Sequence, residues 1–306
     1  MTTPKVVIII LNYFNWNDTV ECLRSLENCT YPNFEILLID NCSPNQSFEK
    51  LKELFPKLEI IQTQTNLGYT GGINFGFSEA LKKGTDYIYV LNSDTIVEKD
   101  FLTELVSGIE QFPKVAAACN LILEERNRDI VWYAGGSLVK WRGLAIHHLQ
   151  GKSKQLLTTQ TPQLVSFVTG CSILFRVSAL KEIGFEDNRF FMYLDDIEYS
   201  ARILGKGYNL LFVPSSVIYH RVEGKDESVF KLYYAVRNRY LFIHTSLKGI
   251  MRLIASVYFS LVIFYKLAKW SMTNRKFFRA ALIGIQDYFD NNLYEGRGHK
   301  LFYISE

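Results

Sequence analysis

Four apolar runs in the first hundred residues constrain this chain more than any other feature. They are Val6–Leu11, Phe34–Asp40, Leu58–Thr63 and Tyr87–Leu91. The first is a continuous β-branched stretch, the pattern of a strand covered on both faces. Between the runs, Asp18–Leu26, Ser47–Phe55 and a stretch near Ile73–Lys83 place apolar residues at helical spacing. Strand and helix alternating at this interval predict an α/β fold with a mostly parallel sheet. Ligands of such sheets bind beyond the carboxyl ends of the strands. Polar residues gather there: Asn12 and Tyr13, Asp40 and Asn41, Asn66, then Asn92 and Asp94.

The chain has 306 residues, 48% of them hydrophobic, enough for a sizeable core. A net charge of +3 is too small to argue for nucleic acid as a partner. Cys22, Cys29, Cys42, Cys119 and Cys171 form no CxxC pair, and their odd count and wide spacing fit a reducing compartment. The N-terminal "MTTPKVVIIILNY" lacks a small-residue cleavage site and reads as a first strand, not a signal peptide.

Several motifs carry chemistry, each with a structural reading beside it. In "TNLGYTGGINFG", Gly68, Gly71, Gly72 and Gly76 allow close backbone approach, and a helix beginning after Gly72 would aim its amides at a phosphate. A tight turn and close helix–sheet packing explain the same glycines. In "YIYVLNSDTIVEKDF", Asp94 interrupts an apolar run. It either caps the helix expected near Glu98–Gln111 or holds a hard cation against phosphates. In "NRFFMYLDDIEYSARILGKGY", Asp195 and Asp196 open a helix beside an apolar wall, as a capping pair or as a general base. His220 follows a short strand; it is a satisfied core residue or a second metal ligand opposite Asp94.

The middle of the chain is less regular. Asp129–Gly143 reads as a hairpin or sheet extension, His147–Gln163 as a polar mobile loop, and Val165–Arg176 as renewed strand. After His220 the pattern turns helical, over about Val229–His244 and again over Gly249–Trp270. The apolar centre of the second stretch, Leu253–Tyr265, is shorter than a bilayer span of about 20 residues. With Arg252, Lys266, Lys269, Arg275, Lys276 and Arg279 around it, it reads as a helix on an anionic membrane surface or one packed on the sheet. Residues 1–225 and 226–306 are therefore expected as an α/β domain and a helical extension.

In order, Asn12-Tyr13, Asp40-Asn41, "NLGYTGGINFG", "LNSD", "FFMYLDDIEYSAR", "IYHR" and "YYAVRNRYLF" resemble the family 2 glycosyltransferases of the GT-A fold, nearest their rhamnosyltransferase-like branch. The resemblance covers about Lys5–His244. It implies a Rossmann-like, mostly parallel sheet flanked by helices, binding a nucleotide-diphosphate sugar, with Mg²⁺ or Mn²⁺. Asn12, Asp40 and Asn66 are implied as donor contacts, Asp40 on the base. Tyr13, Asn41, Gly68, Gly72, Asn74, Asn92 and Ser93 join that donor set. Asn92-Ser93-Asp94 holds the DxD position, making Asp94 a metal ligand and His220 its partner. Asp195-Asp196 holds the ED position, with Asp196 as catalytic base. Arg237 and Asn238 are implied on the diphosphate or the acceptor.

Two positions depart from the family pattern: Asn92 replaces the first DxD carboxylate, and Asp195 the ED glutamate. They keep open a nucleotide-sugar-binding protein without catalysis. A Rossmann dehydrogenase is disfavoured, because no GxGxxG follows the first strand. The resemblance implies an inverting transfer from dTDP-rhamnose, or else a UDP-hexose, to a glycan or lipid-linked acceptor. The setting it implies is cytoplasmic, at the inner face of the cell membrane, in cell-surface polysaccharide synthesis.

Overall fold

The computed structural model describes residues 3–221 and 228–302. Its first half is strand and helix in turn: β1 Val6–Asn12, α1 Trp16–Leu26, β2 Phe34–Asp40, α2 Ser47–Leu54, β3 Glu59–Gln62, α3 Gly68–Lys82 and β4 Tyr87–Asn92. There follow β5 Thr95–Val97, α4 Phe101–Glu110, β6 Val115–Glu124, β7 Val131–Tyr133, β8 Gly136–Val139, β9 Leu144–His147, β10 Gln163–Val165 and β11 Ser172–Arg176. The rest is α5 Val177–Ile183, α6 Asp195–Gly205, β12 Asn209–His220, α7 Val229–Ser246, α8 Gly249–Thr273, α9 Arg275–Phe289 and α10 Gly296–Phe302.

The main sheet runs β10-β12-β6-β11-β4-β1-β2-β3. β1 pairs parallel with β2 and β4, and β2 with β3, as the alternation predicts. β11 enters antiparallel between β4 and β6, which makes the sheet mixed. β1 is central because it can be buried on both faces: Val6 to Ile10 are all fully inaccessible. α3 lies on it through glycines. A Cβ on Gly72 would come within 2.6 Å of Leu11, and one on Gly76 within 2.7 Å of Ile9. These glycines let helix and strand approach closely.

Short β5 explains why the apolar run resumes after Asp94. It pairs antiparallel with the end of β12, in the register Ile218↔Val97, Tyr219↔Ile96, His220↔Thr95. That pairing carries the end of β12 back to the turn after β4.

Two sequence expectations are corrected. α3 starts at Gly68, so Gly72 lies in its second turn. Residues 147–163 are not simply a polar loop: His147 ends β9, Lys154–Leu156 form a 3₁₀ turn, and Ser153 bridges to Ile130. Strands resume over Val165–Arg176 as β10, ending at Val165, and β11, separated by the turn that contains Gly170.

α8 is 25 residues, longer than its apolar centre suggested, and by length and composition is able to cross a membrane. Ala255, Phe259, Ile263 and Trp270 pack inward, whereas Leu253, Val257, Leu261 and Phe264 are more than half exposed. The helix thus packs on the protein along one face and leaves an apolar face bare.

Candidate active site

A cleft opens at the carboxyl ends of β1, β2 and β4. It is lined by Tyr13, Asn41, Asn66, Gly68, Asn92, Ser93 and Asp94, all singled out in the sequence. It is also lined by Leu11, Asn15, Tyr69, Phe191, Met192, Phe230 and His299. His220 is not among the lining residues, but the β5–β12 register sets its Nε2 3.2 Å from Oδ2 of the cleft-lining Asp94. The backbone N–H of Arg221 donates to the Asp94 carbonyl at 2.9 Å. The Arg221 guanidinium ties Asp18, Glu21 and Glu125 around the same corner. Trp132 packs on the His220 ring, centroids 4.6 Å apart. Asp94 Oδ1 and His220 Nδ1 are buried with no hydrogen-bond partner among the described residues.

The orphaned Asp94 Oδ1 and the Oδ2–Nε2 spacing fit a hard cation held by two protein ligands, since no third His, Cys, Asp or Glu joins them among the described residues. Two ligands at right angles on an ion with bonds near 2.1 Å stand roughly 3 Å apart. A buried carboxylate oxygen without a donor is costly unless something positive meets it.

The acidic pair is linked to the cleft-lining Tyr69 through Gly170. The Tyr69 hydroxyl donates to the Gly170 carbonyl at 2.6 Å, and the Gly170 N–H donates to Asp196 Oδ2 at 3.1 Å. Asp196 Oδ1 accepts from the Ile197 N–H at 2.9 Å. Two fixed N–H donors thus hold one carboxylate rotamer, half-buried at the start of α6. Burial raises the Asp196 pKa, and those N–H groups oppose the rise. Asp195 is 5% exposed; burial raises its pKa, and the Asp196 charge adds to the rise. Glu186, likewise buried, is raised by burial and then by Asp195 and Asp196.

The loop before this pair is strained. Phe191, Tyr193 and Leu194 all have positive φ. Phe191, at φ 63° and ψ −55°, centres a γ-turn of the rare positive-φ form, closed by the Met192 N–H to the Phe190 carbonyl at 2.7 Å. Strain of this kind persists only where the surroundings over-determine it. Here they do: Asn238 Nδ2 donates to the carbonyls of Phe190, Met192 and Tyr193 at 2.8–2.9 Å. Arg237 Nη2 donates to the carbonyls of Phe190 and Arg189, and Nη1 to that of Tyr294.

This corrects the expectation for Arg237 and Asn238. Both are wholly buried. Arg237 Nε donates to Asn238 Oδ1 and most of their other donors end on backbone carbonyls, so the two hold the acidic loop from behind.

Other expected donor contacts also prove internal. Asn12 and Asp40 are 0% exposed. Asp40 accepts from Asn12 at 2.7 Å, from the Ser43 N–H and hydroxyl at 3.0 and 2.7 Å, and from Gln62 at 3.0 Å. Asn74 bonds Glu186 and Asn188, fixing the chain before the acidic loop. Gly72 packs beneath Leu11, which lines the cleft in its place. Asn41 and Asn66 do line the cleft, yet their amides also bond each other and the 66–68 turn.

The model for Glycosyl transferase family 2 matches residues 6–184, more than half of the chain. The chain belongs to that family. Family 2 membership agrees with the strand-end cleft and with the Asp94 turn; the matched segment holds that turn and most of the cleft lining, whereas Phe191, Met192, Phe230 and His299 lie beyond it. An N-acetylglucosaminyl-diphospho-decaprenol L-rhamnosyltransferase of Mycobacterium tuberculosis is 25% identical over 242 residues, 71% of this chain and 76% of that protein. A poly-beta-1,6-N-acetyl-D-glucosamine synthase of Staphylococcus aureus is 25% identical over 211 residues, 68% of this chain. The chain spans about half the length of that synthase, 48%.

Among solved structures, GalNAc-T7 with UDP, GalNAc and Mn²⁺ has a TM-score of 0.62 at 19% identity, covering 89% of this chain and 58% of that one. The mannosyltransferase PcManGT from Pyrobaculum calidifontis, in complex with GDP-Man and Mn²⁺, has a TM-score of 0.60 at 12% identity, covering 95% and 88%. These likenesses show the fold: a GT-A glycosyltransferase sheet flanked by helices, with C-terminal helices added.

Sequence reasoning missed Tyr69, Phe230 and His299 as lining residues. Tyr69 stood inside a quoted motif, read only for its glycines. His299 had no signal, because it reaches the cleft from α10 at the far end of the chain.

Proposed function

We propose that this family 2 glycosyltransferase is an inverting enzyme. It moves a sugar from a nucleoside-diphosphate donor to a hydroxyl of a glycan or lipid-linked acceptor. The observation that carries the reading is Tyr69, which lines the cleft together with Asp94 and whose hydroxyl bonds the Gly170 carbonyl, while the Gly170 N–H holds Asp196. The donor lies in the cleft, with Tyr13, Asn41, Asn66, Asn92 and Ser93 along it. Asp94 and His220 would hold Mg²⁺ or Mn²⁺, which supplies charge neutralisation for the leaving diphosphate. Two structural neighbours that hold Mn²⁺ support that choice.

Asp196 accepts the proton of the acceptor hydroxyl as that oxygen bonds the anomeric carbon. The bond from that carbon to the diphosphate oxygen breaks on the opposite face. A carboxylate raised by burial is a better base near neutral pH than an exposed one. Asn238 and Arg237 keep the loop before Asp196 in its strained form, which fixes where the base stands.

The donor we favour is dTDP-rhamnose, supported by the rhamnosyltransferase relative at 25% identity. A UDP-hexose is the competitor. The bare apolar face of α8 supports peripheral contact with the inner face of the cell membrane. The setting proposed is cell-surface polysaccharide assembly.

Replacement of Asp196 by Asn tests the mechanism. Turnover should fall by about 10²–10⁴-fold with donor affinity unchanged. Turnover near wild type would remove Asp196 from its role.

A further inference from the structure

A second groove runs between α6, α7 and α8, and no part of the transfer step uses it. Leu194 and Ile197, which flank the acidic pair, line one end; Phe259 and Ile263 of α8 line its wall. Into this apolar setting project two cations, Arg239 and Lys266. Arg239 Nη2 donates to the Arg142 carbonyl at 2.6 Å, and its guanidinium lies 4.3 Å from the Phe259 ring centroid. Its Nε is buried without a hydrogen-bond partner, as is Nε of neighbouring Arg142. Among the described residues neither arginine has a carboxylate within ion-pair distance. Burial lowers the Arg239 pKa to about 10, the mark of a charge lacking an anion.

A partly buried, unpaired guanidinium in an apolar groove is expensive unless a ligand supplies the missing charge. The ligand must also be apolar on its other side. The groove is itself apolar along Leu232, Val236, Phe259, Val262 and Ile263, so it can take the apolar part of such a ligand beside the two cations.

We propose that this groove binds the phosphate-bearing end of the acceptor lipid, with phosphate oxygens on Arg239 and Lys266 and the chain running along α8. The inference rests on the transferase reading and narrows its acceptor to a long-chain lipid phosphate or diphosphate. The groove starts at the residues beside Asp196, so a sugar joined to that phosphate would extend toward the base.

The test uses the intact protein in EDTA, which keeps the Asp94–His220 site from taking up a diphosphate. Thermal stabilisation is measured with farnesyl diphosphate, with pyrophosphate alone and with farnesol alone. The proposal predicts a saturable shift with farnesyl diphosphate at concentrations where neither control acts. Arg239→Met should weaken that apparent affinity at least tenfold, and Lys266→Met several-fold. No shift would overturn it, and so would an equal shift from pyrophosphate alone or affinities unchanged in both variants. If Arg239→Met does not fold, Lys266→Met decides alone, because that side chain sits at the lip. Mn²⁺-dependent nucleotide binding, measured in parallel, separates failure of this groove from failure of the transferase reading.

Discussion

Asn238 Nδ2 donates to three backbone carbonyls of one loop, the last of them that of Tyr193, two residues before Asp195. A single amide thus holds a γ-turn and two further left-handed residues in place just ahead of the acidic pair. Asn238→Leu removes that donor; the Phe190 carbonyl keeps Arg237 Nη2 and the Met192 N–H, and a carbonyl left unpaired and buried costs about 1–3 kcal/mol. We predict a lower urea midpoint and a fall in kcat larger than any rise in donor KM. A variant as stable and active as wild type would show that the loop keeps its shape without Asn238.

Asp195 is buried beside a second carboxylate, and its pKa is raised, first by burial and then by Asp196. The folded state therefore keeps a proton that the unfolded state releases. Stability from this group is present below the ordinary aspartate value and is lost as pH rises through the raised one. Asp195→Asn should melt higher than wild type in mildly alkaline buffer, and the gain should shrink toward about pH 5. A gain that grew with acidity would contradict the assignment.

The acid limb of kcat/KM should follow the same electrostatics. With Asp196 raised by burial, the limb should lie above the ordinary aspartate value of about 3.9. In Asp195→Asn the limb should stay in place, because Asp195 is still protonated in that pH range and burial, not its neighbour, raises Asp196. A limb already at the ordinary value in wild type would mean that another group limits the rate.

Much of the fold was legible because its strands are covered on both faces. Val6–Ile10 reads as buried strand without any partner in view. The site was legible where a residue breaks an apolar pattern: Asp94 stands out between β4 and β5 for that reason. Asn12 and Asp40 lie at strand ends as expected, but only the fold shows Ser43 and Gln62 filling the hydrogen-bonding capacity of Asp40. Gly72 and Gly76 were visible as small residues, yet their reason is the nearness of Leu11 and Ile9. Arg237 and Asn238 were expected on a ligand only from the family resemblance, and charged and amide side chains seldom lie wholly buried as these do. The carbonyls that satisfy them belong to a loop distant in sequence.

The central claim is that the Asp94–His220 pair makes nucleotide binding depend on a divalent cation. The most direct measurement is thermal-shift titration of dTDP and UDP with Mn²⁺ and with EDTA, on wild type, Asp94→Asn and His220→Ala. A ligand at 100 times its Kd stabilises by about 2.7 kcal/mol. The account predicts such stabilisation in wild type with Mn²⁺, its loss in EDTA, and its loss in both variants with Mn²⁺ present. Equal stabilisation with and without Mn²⁺, unchanged in the variants, would contradict it.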